Sequence, residues 1–403
     1  MEKLTNIELS DIKVHTALDH GDIAAVAAGF QEDDIDTSIG PIHVTVQGDR
    51  SRAAILTYHD IGLTSNTCFQ GFFNHTDMQP VLKYFCVYHV SAPGQQEGSV
   101  PLTQGGLRHA ESEQLLSGNA AQGELKDTKR SSSLGNLGDP KFAESYVYPT
   151  MDQLAEMLLP VMQYYGLKRT IGFGVGAGAN ILSRFALMYP ERMDALVLIN
   201  CSSTKAGWME WAYQKLNVWH LKNGQLSTSV EDFLLWHWFG EKTMLQNHDL
   251  VTTYSKVLET LNPQNLGYFI ESYIKRTDLG IVRELDPTKK DSVRMIKCPV
   301  MLVSGEYSPH LNDTVNMNGR LDPTTSSWMK FECGGMVLEE APDKVAESFR
   351  LFLQGMGYIP ALSQLKLVES RSGHSSKTTM VSRGSVSDRP IAMPSMSATQ
   401  EVC

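Results

Sequence analysis

Near-continuous apolar segments separated by helical patterns are the feature that most limits how this chain can fold. DALVLIN (194–200) and CPVMLVSG (298–305) are apolar at nearly every position, which is typical of parallel strands buried on both faces. Other segments show strand or helical patterns, the strands at 41–48, 52–59, 84–90, 169–174 and 326–332 and the helices at 150–166, 178–190 and 341–357. This alternation predicts an α/β protein with a doubly wound, mostly parallel sheet.

Composition divides the chain into a globular domain and polar segments. Residues 1–37 are polar and predict a flexible N-terminal arm, and residues 38–360 predict the domain itself. Within the domain, residues from about 98 to 146 are rich in Gly, Ser, Gln, Glu and Lys, which predicts a disordered insert. Residues from about 202 to 292 are helical and aromatic-rich, which predicts a helical cap. The Ser/Thr-rich residues 361–403 predict a disordered tail.

Charge and cysteine content exclude several classes of protein. The 403 residues carry a formal net charge of −10, which argues against nucleic-acid binding. The six cysteines form no CxxC pair, so they indicate a reducing compartment and no metal framework. Neither a signal peptide nor an apolar run of about 18 residues occurs, which predicts a cytoplasmic protein without a transmembrane segment. Peripheral membrane association stays open.

A glycine cluster joins a strand to a helix between Arg169 and Pro190. It fits the dinucleotide-binding pattern G-x-G-x-x-A from Gly174 to Ala179. That pattern also requires an acidic residue at the end of the next strand, but Asp194 stands at that strand's beginning. We therefore expect no dinucleotide and no other cofactor.

The nucleophile elbow of the α/β-hydrolase fold, G-x-S-x-G, is the better template for this cluster. The frame Gly172-Phe-Gly174-Val-Gly176 matches it and places Gly174 in the nucleophile slot. The segment SGEYSPH places Ser308 in the slot of the triad acid, and CGGMVLEEAP places Gly335 in the slot of the histidine. None of these side chains can perform triad chemistry, so the sequence predicts a degenerate triad without catalytic residues.

The segment LTYHDIGLTS stands where hydrolases form the oxyanion hole. With the glycine turn it predicts a vestigial pocket, whose candidate residues are His59, Asp60, Gly62, Gly172 and Val175. HDIG also spells the metal motif of HD phosphohydrolases, but that motif requires a helix and here it follows a strand. Hydrogen bonds that position the loop are the favoured role of the His and Asp, and no metal site is predicted.

Taken together, these stretches resemble the N-myc downstream-regulated protein family. The shared segments include AILTYHDIGLTSNTCFQGFF, DMQPVL, APGQQEG, KAGWMEWAYQKL, CPVMLVSGEYSPH, LDPTTSSWMKF and FLQGMGY. The resemblance implies an α/β-hydrolase fold with a helical cap and no hydrolase activity. It also implies a cytoplasmic protein linked to differentiation, stress response and signalling, whose tail is phosphorylated by basophilic kinases. The chain departs from the family in having Ser91 before Ala-Pro-Gly, where members usually have Asp.

Three function classes remain open: a non-enzymatic scaffold with protein partners not yet identified, a small-molecule or lipid sensor that uses the vestigial pocket, and a hydrolase with relocated catalytic residues. Flexible serines near basic residues are candidate phosphorylation sites, namely Ser131, Ser132, Ser133, Ser372, Ser375, Ser385 and Ser387. The cap tryptophans are expected to pack mostly in the core; they are Trp208, Trp211, Trp219, Trp236 and Trp238.

Overall fold

A computed structural model describes residues 30–102 and 146–360. Within these ranges the strands are β1 (Phe30–Thr37), β2 (Gly40–Gln47), β3 (Ala53–Tyr58), β4 (Phe85–Ser91), β5 (Thr170–Val175), β6 (Met193–Ile199), β7 (Val300–Gly305) and β8 (Ser326–Phe331). They form one sheet in the order β1-β2-β4-β3-β5-β6-β7-β8. β2 pairs antiparallel with both β1 and β4, and every other pair is parallel. The predicted α/β fold with its mostly parallel sheet is confirmed.

Helices cover the sheet and its carboxyl edge. In chain order they are α1 (Gly71–Phe73), α2 (Gln79–Leu82), α3 (Met151–Glu156), α4 (Leu158–Tyr164), α5 (Ala177–Met188), α6 (Trp208–Lys222), α7 (Thr228–Gln246), α8 (His248–Leu258), α9 (Pro263–Ile274), α10 (Leu311–Arg320), α11 (Val337–Glu340) and α12 (Pro342–Gly355). The predicted cap corresponds to α6–α9, which the chain inserts between β6 and β7.

The end of the predicted N-terminal arm is a strand. β1 pairs along its whole length with β2, and of its eight side chains only Ile35 is buried. Asp33 accepts hydrogen bonds from Arg50 (3.0 Å) and Tyr165 (2.8 Å). Acidic side chains on an edge strand disfavour pairing with another chain. The same charged residues make the segment polar, which is why its composition predicts a flexible arm. Residues 1–29 lie outside the described residues.

The single helix predicted at 150–166 is two helices, α3 and α4. Pro160 has no N–H to bond the carbonyl of Glu156, so the helix breaks near Met157. Thr150 is the N-cap residue of α3, because its hydroxyl accepts a hydrogen bond from the Gln153 N–H at 3.3 Å.

The beginning of the predicted insert is anchored to the cap. Asn265 on α9 accepts a hydrogen bond from the Leu102 N–H (2.9 Å) and donates to the carbonyls of Gly94 (3.0 Å) and Val100 (2.9 Å). Residues 98–102 are therefore held in place, and residues 103–145 and 361–403 lie outside the described residues.

Candidate functional site

The sharp turn between β5 and α5 has its strained residue at Gly176, with φ 52° and ψ −113°. A nucleophile elbow carries its nucleophile at such a turn, so the predicted slot at Gly174 is wrong by two residues. Gly174 still pairs within the sheet, and a Cβ there would lie 2.7 Å from the backbone nitrogen of Ala179. The frame that fits is Gly174-Val-Gly176-Ala-Gly178, in which a Cβ on Gly178 would overlap the carbonyl of Tyr58.

The carboxylate of Asp60 occupies the space that a side chain at position 176 would need. A Cβ on Gly176 would overlap the carboxyl carbon and both oxygens of Asp60. Asp60 Oδ1 accepts hydrogen bonds from the N–H groups of Ile61 and Ala177, both at 2.8 Å. In a nucleophile elbow the residue after the nucleophile and the loop after the third strand supply the oxyanion hole. Asp60 therefore fills the position of the oxyanion.

The second oxygen of Asp60 binds the cap. Oδ2 accepts a hydrogen bond from His237 Nε2 on α7 at 2.9 Å, and both residues are 4% exposed. Burial raises the pKa of the Asp60 carboxyl, but His237 and the Ala177 N–H outweigh burial and hold that pKa below its usual value. Burial also lowers the pKa of His237, against the opposing effect of Asp60. His237 Nε2 therefore donates to an Asp60 carboxylate that is ionised at neutral pH.

Asn200 joins the other two triad slots. It follows β6 with a φ of 52°, donates from Nδ2 to the Gly335 carbonyl at 2.7 Å and accepts from the Ser308 hydroxyl at 3.0 Å. The cap covers Gly335, because a Cβ there would overlap the carbonyl of Trp238 on α7. The structure thus brings Ser308 and Gly335 to one place, but it leaves no room for a histidine at position 335.

The predicted pocket residues have different roles. His59 Nδ1 donates to the Asp60 carbonyl at 2.8 Å, and Nε2 accepts from the Ala92 N–H at 2.9 Å, so the ring fixes two loops. A Cβ on Gly62 would lie 2.7 Å from the Trp238 ring. The other two, Gly172 and Val175, belong to β5 and are part of the core. Gly172 packs on Met193 and Leu196, and Val175 is the last residue of the buried strand.

A cavity of about 560 Å³ lies instead between the cap helices and the loop after β7. Its lining residues come from α6, α7, α9 and nearby loops, and they are Ile61, Glu210, Gln214, Asp232, Phe233, Trp236, His237, Ile270, Tyr273, Ile274, Arg276, Pro309, His310 and Asp313. None of the five predicted pocket residues is among them. His237 belongs to this wall and to the Asp60 pair, so it separates the cavity from Gly176.

The cap tryptophans are mostly exposed, contrary to expectation. Trp208, Trp211 and Trp219 on α6 are 76%, 48% and 61% exposed, and Trp236 is 46% exposed. Only Trp238 among these five is buried, and its Nε1–H donates to the Ile61 carbonyl at 2.9 Å. That hydrogen bond holds α7 against the loop that carries Asp60.

Sequence reasoning missed Gly176 and His237. The glycine run also fits the elbow frame two residues later, and choosing the frame that ends where the helix begins would have identified Gly176. His237 lies 177 positions from Asp60, and no local pattern connects them.

The described residues contain neither a reactive thiol at Cys201 nor a candidate metal site. Burial raises the pKa of the Cys201 thiol to about 12, so this cysteine is protonated at neutral pH. No group of three or more His, Cys, Asp or Glu side chains within residues 30–102 and 146–360 could hold a metal ion. None of the helices in those ranges is long and apolar enough to cross a bilayer.

Because buried histidines resist protonation, we expect acid to lower the free energy of unfolding. Burial lowers the pKa of His59 from 6.5 to about 4. Between these values the unfolded chain binds a proton that the folded protein does not, so the free energy of unfolding falls as the pH falls. We expect His59 to contribute about 3 kcal/mol to this loss between pH 6.5 and 4.

Denaturant unfolding across this pH range measures the effect. His59→Gln should show a shallower decrease in unfolding free energy than the parent, whereas His248→Gln, at an exposed position on α8, should retain the parent's slope. Equal slopes for the parent and His59→Gln would contradict the assignment.

Comparisons with solved structures agree with the fold. Two solved α/β hydrolases share the fold: an esterase from Thermogutta terrifontis (TM-score 0.58, 13% identity, 81% of this chain and 99% of that chain) and an enol-lactonase from Burkholderia xenovorans LB400 (TM-score 0.56, 13% identity, 80% and 100%). At such identity the likeness concerns the fold alone.

Closer relatives share much more of the sequence. Protein NDRG3 of Xenopus laevis is 38% identical over 384 residues, covering 94% of this chain and 89% of that protein. Protein NDRG1 of Xenopus tropicalis is 39% identical over 353 residues, covering 87% of this chain and 77% of that protein. The model of the Ndr family matches residues 32–110 and 135–360. The chain has a hydrolase fold with a glycine at its elbow. Because the family model matches most of the domain and both relatives are identical to this chain at more than a third of the aligned positions, the chain belongs to the Ndr family.

Proposed function

We propose that this protein is a non-enzymatic signalling or scaffold protein on a degenerate α/β-hydrolase fold. The observation that carries the proposal is the Asp60 carboxylate, which accepts both oxyanion-hole N–H groups. An oxyanion hole accelerates acyl transfer because its donors are free for the charge that develops on the substrate, and losing one donor costs about 10²–10³ in rate. Here both donors are engaged by a negative charge that would also repel that oxyanion.

The triad positions support the same conclusion. Gly176 offers no nucleophile and Gly335 offers no base. Ser308 donates its hydroxyl to Asn200 and carries no charge that could orient a histidine. A site without nucleophile, base and acid lacks the means to form and break an acyl-enzyme.

The biological setting of the proposal comes from family membership. By resemblance to the family we propose a cytoplasmic protein that acts in differentiation, stress response and signal transduction through protein partners. The exposed tryptophans of α6 support binding to a partner, since Trp is enriched where protein surfaces meet.

A small-molecule sensor is the second candidate, and the cap cavity favours it. A volume of about 560 Å³ is within the range of ligand pockets. A relocated hydrolase is less favoured, because both carboxylate oxygens of Asp60 already bind protein groups, among them His237.

An esterase assay tests the absence of catalysis. We expect no turnover of p-nitrophenyl butyrate and no labelling by a fluorophosphonate probe, with an active α/β-hydrolase esterase as the positive control. Gly176→Ser should gain no activity, because Asp60 occupies the space of the new side chain and position 335 carries no triad histidine. Stoichiometric labelling of one serine in the parent protein would refute the proposal.

We further propose regulation by basophilic kinases at the serines identified in the sequence, all of which lie outside the described residues. Each phosphate adds about −1.5 to −2 charges at neutral pH, which changes the charge of segments that contain Lys and Arg. Mass spectrometry of the protein from stimulated cells should find phosphate on at least one serine in 131–133 or 370–397. The absence of phosphate from all of them would refute this regulation.

A further inference from the structure

The cap cavity has walls of two kinds. Helices α7 and α9 and two loops supply apolar or aromatic groups, whereas α6, α7 and α10 supply carboxylates and Arg276, just after α9, supplies one guanidinium. Aromatic side chains come from α7 (Phe233 and Trp236) and α9 (Tyr273). Such a lining suits a ligand with an apolar body and one polar end.

The single guanidinium in the lining is already neutralised by protein groups. Arg276 is 6% exposed and donates to both carboxylate oxygens of Glu210, at 2.9 and 3.2 Å. It also donates to the carbonyls of Thr204 (3.0 Å) and Tyr273 (3.2 Å), and it stacks on the Tyr273 ring at 4.2 Å. Arg276 is therefore committed to the protein and is a poor receptor for a ligand anion.

The remaining charge of the lining is negative. Glu210, Asp232 and Asp313 outnumber Arg276 by two charges, and the Asp60 carboxylate lies directly behind His237. His310 Nδ1 lies 3.7 Å from the Asp313 carboxylate, which also accepts a hydrogen bond from Ser202 at 3.4 Å. His310 uses its other nitrogen to bond the carbonyl of His237 at 3.0 Å. A cation entering the cavity thus meets a favourable potential.

Gln214 adds an amide to the lining. It is 2% exposed, and its Oε1 accepts a hydrogen bond from Asn217 at 3.5 Å. An amide at this position can bond an oxygen of a bound molecule.

We propose that the cap cavity binds a small organic cation, an amine or quaternary ammonium on an apolar body. The ammonium lies near Asp313 and Asp232, the apolar body packs on Ile270, Ile274 and the aromatic rings, and ring faces add cation–π attraction. A carboxylate ligand is repelled by the same walls. A wholly neutral apolar ligand leaves the carboxylates desolvated without compensation.

This inference gives the sensor candidate a ligand class and depends on the cavity rather than on the lack of catalysis. Three probes of similar size separate the contributions: phenethylamine is cationic, 2-phenylethanol is neutral and 3-phenylpropionate is anionic at neutral pH. Ligand-observed NMR titrations of the full-length protein should show saturable amine binding about tenfold tighter than alcohol binding, and no binding of the carboxylate.

Variants assign the preference to the cavity. The double variant Asp232→Asn/Asp313→Asn keeps the shape of the side chains and should reduce the preference for amine over alcohol to about threefold or less. Glu241→Gln, also on α7 but exposed and outside the lining, should retain the full preference. Circular dichroism melting establishes that each variant is folded.

Four results would overturn the proposal: no saturable binding, equal binding of amine and alcohol, preference for the carboxylate, or an unchanged preference in the folded double variant. An esterase assay on the same samples separates the two proposals. Turnover would refute the non-enzymatic function, and failed amine binding without turnover would refute only the ligand class.

Discussion

One buried carboxylate joins the three parts of the molecule that meet at the old active site. Asp60 binds the N–H of Ile61 in its own loop, the N–H of Ala177 at the start of α5 and the imidazole of His237 in the cap. A buried charge that loses a partner costs several kcal/mol, so these contacts fix the parts relative to one another. The position of the cap therefore depends on a charge that stands where a hydrolase would stabilise its oxyanion.

Glycines make this arrangement sterically permissible. A Cβ on Gly176 would overlap Asp60, and one on Gly335 would overlap α7, while Gly62 lies against the Trp238 ring. The glycine cluster after β5 thus accommodates the protein's own carboxylate and backbone. A cradle for phosphate would need free N–H groups at the start of α5, and Asp60 already binds the one on Ala177.

The sequence predicts the fold well because buried parallel strands leave a strong local pattern. β6 and β7 are apolar at nearly every position, and β2, β3, β4, β5 and β8 also lie where their patterns predict. β1 escaped prediction because an edge strand can be stabilised by backbone pairing while only Ile35 is buried.

Sequence patterns indicate residue types at the candidate site but not its geometry. The loss of side-chain chemistry at Gly335 and in the glycine run follows from the residue types, but the choice between Gly174 and Gly176 depends on where β5 ends and α5 begins. The pairing of Asp60 with His237 depends on how the cap packs, which no short pattern encodes. Exposure of Trp208, Trp211 and Trp219 likewise depends on which face of α6 packs on α9.

The most direct test of the account is hydrogen exchange at the two oxyanion-hole amides. In the parent protein at neutral pH, the N–H groups of Ile61 and Ala177 should be strongly protected, because both donate to the Asp60 carboxylate. In Asp60→Asn both amides should exchange about tenfold faster or more, since a charge-assisted hydrogen bond is replaced by a neutral one. Rapid exchange of these amides in the parent, or unchanged protection in the variant, would contradict the claim that Asp60 fills the oxyanion hole.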